Sequence, residues 1–296
     1  MRLKDKLTGC GTALVTPFSE DGSIDTDALI RNVDDQLAGG IDYLVPCGST
    51  GEAATLNLDE QIQVVETVVK HAGGRVPVVA GAGGYNTVKV TETARAMEKT
   101  GADAVLSVSP YYNKPTPDGL VSHYRAIADA ISIPVVIYNV PGRTGSNMLP
   151  DTVLRIAEID QVIAIKEASG NMAQITDLLM RRPDGFLVLS GDDAITLPMI
   201  ALGAEGLISV VANEMPRETA DWIHACLAGR FADAIVMQKR LHPLMTANFL
   251  ETNPIPVKAA MAMMGKIGEN YRLPLVRMTE QNRSKMKAVL KSMKLI

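Results

Sequence analysis

The sequence predicts an α/β fold, a (β/α)8 TIM barrel with a C-terminal helical extension, and three observations carry the prediction. Short β-branched runs recur eight times at intervals of about 20 to 30 residues, each followed by an amphipathic stretch. The runs at 134–138 and 162–165 are almost continuously apolar, as expected of strands covered on both faces. Several helical stretches end in glycine, at Gly39-Gly40, Gly73-Gly74, Gly101 and Gly203, which suits a left-handed helix stop before the next strand.

In order, the β-branched runs place strands at 12–16, 43–47, 76–81, 104–109, 135–139, 162–166, 186–190 and 206–210. The helical periodicity falls between them, at 26–38, 59–71, 87–100, 117–130, 150–159, 172–181, 194–201 and 216–228. Eight such pairs fit a closed barrel better than an open doubly wound sheet, and no GxGxxG opens the first helix. Beyond residue 228 only helices follow, at 231–249, 254–264 and 279–293. We therefore expect a catalytic barrel over 1–228 and a helical appendage over 229–296 packed on it.

Composition narrows the function. Of 296 residues, 47% are hydrophobic and 21% charged, enough for a large core and a solvated surface. A net charge of −4 without a basic block argues against nucleic acid and anionic membrane as partners, leaving small molecules or protein chains. The first eight residues lack the apolar core of a signal peptide and no later run spans a membrane, so a cytoplasmic location is expected. Cys10, Cys47 and Cys226 form no CxxC, and His71, His123, His224 and His242 form no ligand spacing, so no metal is expected.

In a barrel of this kind chemistry gathers where strands end, and four ends are polar. Lys166 closes the sixth strand, where alternation puts it on the face of Val162 and Ala164. If that face is the interior, desolvation favours the free amine, a nucleophile toward a carbonyl. The bland alternative is a solvated lysine, or one paired with Glu167. Tyr138 ends the preceding strand above Val136, and its phenol could move protons at an imine or simply fill the barrel top. Gly48-Ser49-Thr50-Gly51-Glu52 is a glycine-flanked turn with hydroxyls and N–H groups that could hold a carboxylate. Arg143, in Pro141-Gly142-Arg143-Thr144-Gly145, offers a fork for a second carboxylate, or is a surface arginine in a turn. Ser190-Gly191-Asp192-Asp193 is the fourth end.

Together with Thr16-Pro17-Phe18 and Ser109-Pro110-Tyr111-Tyr112-Asn113, these motifs run through nearly the whole chain in an order that resembles the dihydrodipicolinate synthase / N-acetylneuraminate lyase family of pyruvate-dependent class I aldolases. The resemblance implies a covalent imine between pyruvate and Lys166, with no separate cofactor. Tyr138, Ser49 and Tyr112 would relay protons, Tyr112 serving a neighbouring subunit's site. Ser49 and Thr50 would seat the substrate carboxylate, and backbone groups of Gly191 and Ile208 would line the pyruvate pocket. Arg143 resembles the synthase branch, whose second substrate is L-aspartate 4-semialdehyde and whose pathway leads through diaminopimelate to lysine. A homo-oligomer built as a dimer of dimers is implied as well. Lysine-inhibited members carry polar effector ligands where this chain has Leu58, Gln61, Tyr85 and Lys89, so weak or absent lysine feedback is expected. The rival readings are a pyruvate lyase acting on a sugar acid or hydroxy-oxoglutarate, a keto-acid-binding regulatory barrel, and a phosphosugar isomerase, which the loops after strands seven and eight do not favour.

Overall fold

In a computed structural model describing residues 3–296, the apolar runs form eight parallel strands ringed by helices. The barrel half begins α1 Leu3–Lys6, β1 Gly9–Ala13, α2 Thr26–Ala38, β2 Tyr43–Val45, α3 Leu58–Ala72, β3 Val79–Gly81, α4 Thr87–Lys99 and β4 Ala104–Val108. It continues α5 Pro117–Ala128, β5 Val135–Asn139, α6 Pro141–Thr144, α7 Pro150–Ala157, β6 Val162–Glu167, α8 Met172–Arg181, β7 Leu187–Ser190, α9 Thr196–Ala201 and β8 Gly206–Ser209. After it come α10 Pro216–Leu227, α11 Phe231–Ala247, α12 Ile255–Met263 and α13 Glu280–Ser292. Residues 1 and 2, which open the segment read as lacking a signal peptide, lie outside the described residues. Among the described residues no helix is long and apolar enough to cross a membrane.

The strands pair in the order β2-β1-β8-β7-β6-β5-β4-β3. A parallel bridge between Leu44 and Val78 closes the ring, and the Gly81 N–H donates to the Pro46 carbonyl at 2.9 Å. This is the (β/α)8 barrel that the periodicity predicts.

Local chemistry sets the helix ends. Asn57 and Glu60 form a reciprocal capping box at the start of α3, and Gly73 ends that helix at φ 57°, a left-handed position that glycine occupies without strain. Two apolar layers then hold the barrel. Inside the ring, Val45, Leu106, Val136, Ala164, Leu189 and Ile208 pack together, and Leu7 joins them at the N-terminal end of the strands. Outside it, one continuous cluster lies between strands and helices and extends into the C-terminal helices through Leu241, Leu244, Ala259 and Met286.

The second and third strands are shorter than predicted, Tyr43–Val45 against 43–47 and Val79–Gly81 against 76–81, and two further differences have causes in packing and register. The first strand is Gly9–Ala13, three residues earlier than predicted, because Gly9 and Gly11 have weak strand propensity and shifted the reading downstream. Packing demands them: a Cβ on Gly11 would fall 2.0 Å from the Tyr43 ring. The second difference lies in β6. Val135 pairs with Val162 but Val136 with Ala164, so Ile163 is an extra residue, a bulge that breaks the alternation. Val162 therefore joins the outer cluster while Ala164 lies inside, and Lys166 shares a face with Ala164 but not with Val162.

Candidate active site

The C-terminal ends of the strands surround a cavity of about 680 Å³, and Ser49, Thr50, Tyr138, Arg143, Lys166 and Gly191 all line it. Lys166 and Tyr138 are register partners on β6 and β5. The Lys166 ammonium nitrogen lies 4.4 Å from the centre of the Tyr138 ring. Only 7% of the Lys166 surface is exposed. Burial lowers its pKa to about 8, Arg143 pushes in the same direction, and the Asp193 carboxylate opposes both. Burial raises the Tyr138 phenol to about 12, so it stays protonated at neutral pH.

Glu167 does not neutralise the lysine. Its carboxylate turns to the outer face of the sheet and accepts from the Ser169 N–H at 2.6 Å and Asn139 Nδ2 at 3.0 Å. Gly191 leaves room for the lysine stem, since a Cβ there would meet Lys166 Cε at 2.9 Å. Asp193 is buried, accepts from Ser209 Oγ at 2.5 Å and the Val210 N–H at 3.1 Å, and burial raises its carboxyl to about 6.

The turn after β2 is held from a distance. Asn253 donates to Thr50 Oγ1 at 2.9 Å, and Arg143 donates to the Asn253 carbonyl at 3.0 Å. Glu52, left-handed at φ 53°, forms a buried ion pair with Lys258 on α12 at 2.5 Å. The Lys258 nitrogen also lies 4.3 Å from the Phe18 ring centre. Phe249, Thr252, Asn253 and Leu275 complete the wall, so the C-terminal segment builds part of the site.

Two of the expected residues stand apart. Tyr112 is 90% exposed, with left-handed backbone, and does not line the cavity; its neighbour Tyr111 does. Ile208 sits in the interior cluster of the barrel, away from the cavity lining. The reading of the residues missed Asn253 and the Glu52–Lys258 pair. One signal was available: Lys258 is a lone charge in the otherwise apolar run from Ile255 to Met264. Among the described residues no group of three or more His, Cys, Asp or Glu is placed to hold a metal ion.

A barrel that buries an amine at its mouth, against a protonated phenol and beside two hydroxyls and a guanidinium, has the site of an enzyme that activates carbonyl compounds through lysine. Residues 6–293 match the dihydrodipicolinate synthetase family. A 4-hydroxy-tetrahydrodipicolinate synthase of Koribacter versatilis is 51% identical over 285 residues, covering 96% of this chain and 95% of the relative. One from Chloroherpeton thalassium is 48% identical over 292 residues, covering 98% and 97%. The crystal structure of dihydrodipicolinate synthase from Aquifex aeolicus superposes with a TM-score of 0.95 at 43% identity, covering 98% of this chain and 99% of that one. The chain belongs to the dihydrodipicolinate synthetase family, and it is a lyase that works through a Schiff base on lysine without an external cofactor.

Proposed function

We propose that Lys166 is the lysine that forms the imine with pyruvate, in a synthase that condenses pyruvate with L-aspartate 4-semialdehyde to 4-hydroxy-tetrahydrodipicolinate. The observation that carries this reading is the buried Lys166 amine packed against Tyr138. The amine attacks the keto carbon while the Tyr138 phenol protonates the carbonyl oxygen, and the phenolate takes a proton back from the attacking nitrogen; the phenol then protonates the resulting hydroxyl, and water leaves as the protonated C=N bond forms. The Tyr138 phenolate takes a methyl proton to give an enamine, whose carbon adds to the aldehyde as the phenol returns that proton to the aldehyde oxygen. The amino group of the joined product then displaces Lys166 from the imine carbon, closing the ring and freeing the enzyme.

Ser49 and Thr50 seat the pyruvate carboxylate. Because Thr50 Oγ1 accepts from Asn253, its own proton is free to point at a ligand. Gly191 serves the same pocket, and Arg143 takes the carboxylate of the semialdehyde. The chain works as a cytoplasmic homo-oligomer, a dimer of dimers, in which the exposed Tyr112 joins Tyr138 and Ser49 in a neighbour's proton relay. Residues 1–228 form the catalytic barrel and 229–296 the appendage that closes its wall.

Borohydride reduction in the presence of pyruvate, followed by peptide mass analysis, tests the assignment. We expect a single adduct on Lys166, with a trapping rate that climbs as pH passes through about 8. The free amine is the attacking form, so the rise follows deprotonation. An adduct on another lysine, or none, refutes it.

Lysine feedback is expected to be weak. Lys89 is a solvated ammonium paired with Glu92 at 2.8 Å, and Tyr85 packs edge-on against Tyr111. A cation in that position repels the ammonium groups of lysine. Millimolar L-lysine should leave the initial rate within about twofold of its control, a limit set by the weak coupling of exposed charges. A rate halved or lower at that concentration contradicts the expectation.

A further inference from the structure

We infer that Glu167, whose side chain faces away from the cavity, is a positioning residue that with Asn139 fixes Lys166 beside Tyr138. The inference rests on the assignment of Lys166 and Tyr138 to the reaction. Asn139 and Glu167 are register partners one step beyond the Tyr138 and Lys166 pair. Asn139 is fully buried and Glu167 is 1% exposed, so their contact is made in the absence of competing water. Asn139 Nδ2 donates to Glu167 Oε2 at 3.0 Å and to Asn147 Oδ1 at 2.9 Å, while its own Oδ1 accepts from the Met148 N–H at 3.0 Å. The other carboxylate oxygen accepts from the Ser169 N–H at 2.6 Å. The Ala168 N–H donates to the Asn139 carbonyl at 2.9 Å, and the Gly191 N–H to the Glu167 carbonyl at 2.8 Å.

One buried carboxylate thus joins the ends of β5 and β6 and the loop that follows each. It needs two acceptor oxygens, because the groups that meet it, Asn139 Nδ2 and the Ser169 backbone N–H, are both donors. A carboxylate meets that demand and an amide of the same size does not. This accounts for an acid beside the reactive lysine that faces away from it. The bulge at Ile163 adds to the need for a clamp: the β5–β6 ladder shifts by one residue before it reaches Tyr138, and the Asn139–Glu167 bond fixes it again immediately afterwards.

The test is a swap. Glu167→Gln sets an NH2 against a donor, and Asn139→Asp sets two carboxylates face to face. Combined, they restore the bond between the two positions, from the Gln amide to the Asp carboxylate, while Ser169 and Met148 keep their acceptors and the donation to Asn147 Oδ1 is lost. For each single variant we expect kcat to fall about tenfold or more and the pyruvate KM to stay within about threefold, since small misplacement of reacting groups costs rate more than binding. The double variant should recover kcat to within about threefold of the wild type. The pH at which borohydride trapping of Lys166 sets in should move in the single variants and return in the double.

A Glu167→Gln protein with wild-type kcat, or a double variant no better than the worse single, overturns the inference. Fluorescence of Trp222, the only tryptophan and fully buried, reports whether each variant is folded. Should Glu167→Gln not fold, Asn139→Ala keeps the carboxylate and removes its bridge, and a wild-type kcat there overturns the inference equally. A wild type that forms no pyruvate adduct on Lys166 refutes the site assignment instead, which separates the two failures.

Discussion

Replacing Lys166 with methionine is expected to abolish synthase activity and, at the same time, to stabilise the fold. The loss should be roughly four orders of magnitude or more, because among the described residues no other amine lines the cavity to form the imine. The gain follows from linkage. In the unfolded chain the lysine titrates near 10.5, and in the barrel near 8. Below pH 8 both states hold the proton, and the folded state carries the full cost of a buried ammonium, about 3 kcal/mol. Between pH 8 and 10.5 the unfolded state binds more protons than the folded one, so wild-type stability recovers as pH rises. Urea titrations at pH 7 and pH 10, at matched protein concentration, should show the variant ahead at pH 7 and the advantage shrinking at pH 10. A variant less stable than the wild type at pH 7 would show that the lysine is not held at the expense of stability.

The opposite result is expected at the other buried lysine. Lys258→Met leaves the Glu52 carboxylate fully buried without its ammonium partner, and removing one member of a buried pair costs about 3–5 kcal/mol. Replacing both members, with Glu52→Gln and Lys258→Met, should recover most of that loss, since the uncompensated charge is gone. The single variant should also bind pyruvate more weakly, because Glu52 ends the turn that presents Ser49 and Thr50. Equilibrium unfolding with pyruvate saturation measured in parallel checks both effects. A Lys258→Met protein as stable as the wild type would mean that water reaches the pair.

The two lysines show what was legible in the sequence. Lys166 could be read because it ends a long apolar strand, and because the motifs around it imply a ligand carboxylate and a proton carrier. Periodicity also gave the eight strand and helix pairs, since each strand needs a continuous apolar run and each helix a one-sided stripe. The errors have local causes. Gly11 hides a strand because its role is to admit the Tyr43 ring, a contact between residues 32 apart. The bulge at Ile163 leaves no mark in composition, so strict alternation misplaced Val162. Asn253 and Lys258 were out of reach for a different reason: their partners Thr50 and Glu52 lie more than two hundred residues upstream, beyond any local pattern.

That separation has a consequence for how the protein comes into being. Thr50 meets Asn253 across 203 residues and Glu52 meets Lys258 across 206. In a chain made from its N-terminus, the β2 turn emerges early and lacks these two partners until α12 has been synthesised and has docked. The turn proposed to hold the substrate carboxylate is therefore among the last parts of the molecule to gain its full set of partners. A growing polypeptide carries Lys166 long before it carries the residues that brace the turn facing it across the cavity.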